Sequence, residues 1–198
     1  MQTAHWKHLI LILFAFMLTA CSTTVQRINP DQEVALSDRW NNIDSKLVAD
    51  AMINDMLSFP WYQNYDFTHK RKPTIIIQEI RNKSDEHIPV DTFINDIKRS
   101  LLRAGNVNFV VSGSERSDIR KEREDQALNA APGTAAKFGL EQGANFALSG
   151  TISSIVDSNG DERVKFYQVD LKLINMTTNE EVWNGQKQIK KLSKKGFF

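Results

Sequence analysis

Residues 73–112 read PTIIIQEIRNKSDEHIPVDTFINDIKRSLLRAGNVNFVVS. Three patterns follow one another in this stretch, and together they fix the fold class. Pro73–Ile80 is short, β-branched and apolar on both parities, as a strand buried on both faces would be. A polar loop, RNKSDEHIPVD, follows. Phe93, Ile94, Ile97, Leu101 and Leu102 then recur at helical spacing, with Asp91 as the expected N-cap and Gly105 as the expected stop. Asn106–Ser112 is the next strand. Strand, helix and strand in this order predict one right-handed crossover with parallel strands.

C-terminal to this unit, SERSDIRKEREDQALN carries charges of both signs and few apolar residues. It predicts a solvated helix laced by i,i+4 pairs such as Arg120–Glu124, with a charged docking face as the alternative. Thr134 is expected to cap a short helix through Leu140, after the Pro132-Gly133 break. The last third reads as β-structure. ANFALSGTISSIV is a strand, Asn159-Gly160 signals a tight turn, and VKFYQVDLKLI alternates with Tyr167, Val169, Leu171 and Leu173 on one face. Lys165 falls on that apolar parity. VWNGQKQIKK returns as another strand, and the basic end, KKLSKKGFF, reads as loose.

N-terminal to the unit, Ile43, Leu47, Val48, Ala51, Met52, Met56 and Leu57 recur at helical spacing, with Asp44 or Ser45 as N-cap. The helix should stop near Ser58, because Pro60 disfavours helix at Phe59. FPWYQNYDF places five aromatics in nine residues. It reads as a loop stapled onto the domain, with Trp61 a candidate partner contact if the cluster serves recognition.

The first residues set an address. Lys7 gives a positive start, and Leu9–Met17 is an apolar run of signal-peptide length, too short to span a bilayer comfortably. Leu18-Thr19-Ala20-Cys21 resembles the bacterial lipobox, which predicts cleavage before Cys21 and lipidation of its thiol. Three acyl chains would exceed the two-signal requirement for stable anchoring. Ser22 rather than Asp follows the cysteine, the pattern sorted to the outer membrane. The expected organisation is therefore signal peptide 1–20, tether 21–36, an α/β domain 37–192 and a basic tail 193–198. An extended tether of this length reaches roughly 50 Å.

Charge and motif content narrow the function. The chain has 25 Lys+Arg and 24 Asp+Glu. Loss of residues 1–20 removes Lys7 alone and leaves 24 against 24, so no general electrostatic case for nucleic acid exists. His69 and His87 lie outside metal-ligand spacing, and no metal or cofactor is expected. Asp157, Asn159 and Asp161 mimic a calcium loop, but Glu162 stands where Gly is required and Gln168 where a bidentate Glu is required. No nucleophile-elbow, Walker or dinucleotide pattern occurs, so catalysis is not expected.

Four stretches carry a resemblance: PTIIIQEIRNKSDEHI, VDTFINDIKRSLLRAGNVNFV, GTAAKFGLEQGANFALSGTI and YQVDLKLINMTTNEEVWNG. Together they resemble the LpoB family, outer-membrane lipoproteins that activate penicillin-binding proteins. The resemblance implies an α/β domain with a small mixed or antiparallel sheet of four to five strands flanked by helices, resembling the TolB N-terminal domain. It implies a non-catalytic, monomeric regulator that docks on a bifunctional peptidoglycan synthase, held to the membrane through its lipid anchor. Arg81, Asn82 and Lys83 match the loop after the first strand and become the partner-binding candidates. Asn82 and Trp183 read as structural first, a loop Asn capping its own backbone and a strand Trp lying in the core. The tether departs from the long, Pro-rich one of well-known members, and the helix from Asn42 reads as an addition. The alternative reading is a structural subunit of an outer-membrane envelope or secretion assembly.

Overall fold

In a computed structural model, residues 24–29, 32, 34 and 36–196 are described. Cys21 and the expected signal peptide, residues 1–20, lie outside them. The chain divides into Met1–Val34 and Ala35–Phe198. The described residues of the first unit are exposed and carry no helix or strand.

The second unit runs α1 (Asn42–Ser58), α2 (Pro60–His69), β1 (Thr74–Lys83), α3 (Val90–Ala104), β2 (Asn108–Phe109), α4 (Gly113–Asn129), β3 (Phe146–Asn159), β4 (Glu162–Asn175) and β5 (Glu181–Lys194). The five strands form one mixed sheet in the order β2-β1-β3-β4-β5. β1 pairs in parallel with both β2 and β3, and the β3–β4–β5 meander is antiparallel. The parallel crossover read from residues 73–112 is present.

One face of the sheet is covered by helices; on the other, Thr74, Ile76 and Ala147 are buried at one end, and the part beside Arg81 and Lys83 is uncovered. α1 and α3 pack on each other, α1 against β5 and α3 against β1 and β2. Beneath them lie Ile75, Ile77, Leu148, Ile152, Val169, Leu171 and Leu173, which meet Val48, Met52, Phe93, Ile97 and Leu101 in one core. Each such aliphatic side chain, fully withdrawn from water, contributes about 1.5–3 kcal/mol.

Several local expectations are corrected. Asn41, not Asp44 or Ser45, caps α1. Its Oδ1 accepts from the N–H groups of Ile43 and Asp44 at 2.9 and 3.0 Å, and Asp44 Oδ2 accepts the Asn41 N–H at 2.8 Å. The buried stripe is Val48, Ala49, Met52, Ile53 and Met56, which leaves Leu47 outside. The aromatic cluster is a helix rather than a loop: Pro60 occupies its first turn, where a missing N–H costs nothing. Asp91 does not cap α3; the helix begins at Val90, after Pro89, and Asp91 sits in the first turn. β2 keeps only two residues of the predicted strand, because Gly113 at φ 57° turns the chain into α4. Residues 130–142 form turns, not a helix. Thr134 Oγ1 donates to the Ala131 carbonyl, and Gly133 and Gly139 take left-handed φ. The basic end is not loose: β5 continues to Lys194, with Lys191 bonded to Asp44 and Lys194 to Glu162.

Candidate docking site

The loop after β1 is held by a polar cluster that the fold assembles from four segments. Asn82 organises the loop itself: its Oδ1 accepts from the Ser84 N–H at 2.9 Å and the Ser84 hydroxyl at 2.6 Å, and its Nδ2 donates to the Glu86 carbonyl at 2.8 Å. Asp85 is fixed to β3 and β4. Ser154 Oγ donates to its Oδ1 at 2.5 Å, and Lys165 Nζ lies 3.0 Å from its Oδ2. Glu86 points inward. Its Oε1 accepts the Trp40 N–H at 2.9 Å and the Tyr167 hydroxyl, while its Oε2 faces Lys165 Nζ at 3.2 Å without hydrogen-bond alignment.

Lys165 is the centre of this arrangement, with its side chain 2 % exposed between two carboxylates. A cation withdrawn so completely from water is tolerable only with such partners. The same network ties down the approach to α1, since Trp40 packs edge-on against Tyr167 at 5.5 Å and its Nε1 donates to Ser45 Oγ at 2.7 Å.

Proton affinities follow the contacts. Burial pushes the Glu86 carboxyl up, but the bonds from Tyr167, the Trp40 N–H and Lys165 together bring it below its ordinary value. Asp85 is lowered by the Ser154 hydroxyl and then by Lys165. Tyr167 is held well above its ordinary value by burial and by donation to Glu86. These charged and polar groups are engaged in holding the loop.

The cluster presents Arg81 and Lys83 outward. Both are exposed and stand on the uncovered sheet face, beside Thr151 and Ser153 of β3. Arg81 Nη2 pairs with Glu79 Oε2 at 2.6 Å. Next to them lies a cavity of about 530 Å³, bordered by Gln78, Arg81, Thr151 and Lys172. Across β4 and β5 the same face carries an amide ladder in which Gln168 and Gln186 donate to Asp170 and Gln188 donates to both glutamines.

Trp61 stands apart from this site. It is 6 % exposed, donates Nε1 to the Met56 carbonyl at 2.7 Å, and packs on Phe146 at 4.9 Å. Trp183 is buried, and its Nε1 donates to Asp55 Oδ2 at 2.8 Å, joining β5 to α1. Among the described residues, no three His, Cys, Asp or Glu side chains converge as metal ligands, and no helix is long and apolar enough to cross a membrane. Sequence reading missed Asp85, Glu86 and Lys165. The available signal was the lysine out of step with the alternation of β4.

The site is thus a small α/β domain whose first strand ends in two exposed cations, Arg81 and Lys83, followed by a clamped loop. Residues 44–189 match the family described as peptidoglycan-synthase activator LpoB, and the chain belongs to that family. It is a periplasmic lipoprotein regulator of penicillin-binding protein activity in peptidoglycan synthesis, facing the periplasm from the outer membrane, and not an enzyme. The match begins inside α1, so this helix is part of the family domain rather than an addition to it.

Among solved structures, the chain is similar to the C-terminal domain of LpoB from Escherichia coli, at 14 % identity and TM-score 0.45, covering 74 % of this chain and 98 % of that one. The corresponding Salmonella enterica domain gives 14 % identity and TM-score 0.43, over 74 % and 98 % of the two chains. A lipoprotein from Neisseria meningitidis gives 12 % identity and TM-score 0.39, over 61 % and 84 %. A comparison with curated proteins finds no match.

Proposed function

We propose that the domain engages its bifunctional synthase through the rim formed by Arg81 and Lys83 and the uncovered face beside them. The observation that carries this reading is the Lys165–Asp85–Glu86 cluster. It immobilises the loop from beneath and leaves the two cations exposed, so little ordering entropy remains to be lost on binding. Asn82 acts by shaping the loop, since both ends of its amide are engaged within it. Trp61 contributes through packing, as the wall of a cavity of about 680 Å³ between α2 and the start of β5.

The same reading assigns residues 1–20 as signal peptide, Cys21 as the lipidated first residue, 21–36 as tether and 37–192 as the docking domain. Residues 193–198 are its basic end, and the strand extends into them as far as Lys194. The fold is further taken as related to the TolB N-terminal domain. A mixed five-stranded sheet with helices on one face supports that kinship.

Co-purification of the lipidated chain with the synthase of the same organism, combined with a glycan-polymerisation assay, tests the docking reading. Binding accompanied by faster polymerisation is expected, with both effects lost in Arg81→Glu/Lys83→Glu. A double variant that binds and activates as well as the parent chain removes the rim from the interface.

A further inference from the structure

β1 is ten residues long, yet only its first part has a neighbour on the outer side. β2 pairs with Thr74 and Ile75 alone. On that side the Pro73 carbonyl accepts from the Asn108 N–H at 2.8 Å and the Ile75 carbonyl from the Val110 N–H at 3.1 Å. Ser112 Oγ then donates to the Ile77 carbonyl at 3.0 Å, after which Gly113 turns the chain into α4.

Beyond this point the edge is open. In a strand of L-residues the direction of the side chain fixes the side to which the N–H and C=O point. Ile75 and Ile77 face the helices and turn their backbone groups outward; Ile80 and Asn82 also face the helices, in register with Gly150 and Ile152. Their N–H and C=O groups therefore point outward too, and no group among the described residues bonds them. Arg81 and Lys83 turn theirs inward to β3 and their side chains to the uncovered face. An irregularity between Ile77 and Ile80 separates this upper edge from the β2-paired part.

We propose that the upper edge of β1 receives an extended, acidic segment of the synthase as an added strand. Main-chain bonds to Ile80 and Asn82 would hold the segment, and its carboxylates would meet Arg81 and Lys83. This inference rests on the docking reading above and specifies its chemistry. Two exposed cations on one short edge, one of them (Lys83) without an acidic partner among the described residues, complement a carboxylate-bearing strand. Cations and an irregularity on an open edge also serve to discourage self-pairing, and the test separates the two roles.

The full lipidated chain in detergent is mixed with the synthase of the same organism, and amide hydrogen exchange is read residue by residue. Strand addition slows exchange at Ile80 and Asn82 by at least about tenfold and leaves Arg81 and Lys83, already bonded to β3, unchanged. Lys83→Glu weakens capture by about tenfold with an unchanged unfolding midpoint. Binding with unaltered exchange at Ile80 and Asn82 overturns strand addition while the docking reading stands. Absence of binding overturns both. Slowing that appears without synthase and rises with chain concentration means that the edge pairs with a second copy, which also overturns the proposal.

Discussion

Lys165 shows how one residue can break a pattern for a reason. Its parity in β4 assigns it to the apolar face, where a lysine costs several kcal/mol unless it is compensated. Asp85 and Glu86 supply the compensation from a loop 80 residues away. Lys165→Met should therefore destabilise the domain by about 3 kcal/mol in urea unfolding, chiefly because Glu86 is left buried without its cation. The pH dependence has a definite sign. Asp85 and Glu86 have folded values below their ordinary 3.8 and 4.5, so their contribution is complete above the ordinary values and is lost as pH falls through the lowered ones. Tyr167 works in the opposite sense: its contribution is complete below its ordinary value of 10.0 and is lost as pH rises above it. Urea midpoints should be flat near neutrality and fall at both extremes, and Tyr167→Phe should remove the alkaline fall.

At the scale of elements, local chemistry was legible wherever the chain makes its own contacts. The stop of α1 at Ser58, the φ 68° stop at Gly105 and the alternation of β4 all follow from neighbouring residues. The cap of α1 was misplaced by a few residues, because Asn41, Asp44 and Ser45 all have capping side chains. Asn41→Ala should cost about 1 kcal/mol in thermal unfolding. α4 is solvated as expected and keeps internal pairs such as Gln126–Glu122 and Asn129–Asp125, but Arg120 turns from Glu124 to a clamp outside the helix. Arg120 and Arg123 both bind Glu141, each at 2.8 Å, and hold that carboxyl at about 2. Glu141→Gln should speed amide exchange in α4 and in 130–142 while the core strands stay protected. Gly150 is a strand position of another kind. A Cβ there would lie 2.2 Å from the Asp170 carbonyl oxygen, which belongs to the paired strand and has no room to move. Gly150→Ala should lower stability by about 3 kcal/mol or prevent folding, whereas Ile119→Ser on exposed α4 should change it by less than about 0.5 kcal/mol.

For the whole molecule, the sequence by itself determined the class of architecture, the absence of a catalytic motif and the family. Each of these depends on order and periodicity along the chain. It also brought out Arg81, Asn82 and Lys83, through a strand that ends in a polar loop. Tertiary structure alone decided how these three divide their work. Asn82 is drawn into the loop, while Arg81 and Lys83 are left on an uncovered face because α1 and α3 pack on the other side. It also decided that Trp61 is core, that Lys165 is partnered, and that β2 stops short and leaves the upper edge of β1 open. The physical reason is common to all of them. Periodicity records which residues leave water, but the partner that satisfies a buried charge or a strand edge lies tens of residues away and is supplied only when the sheet closes.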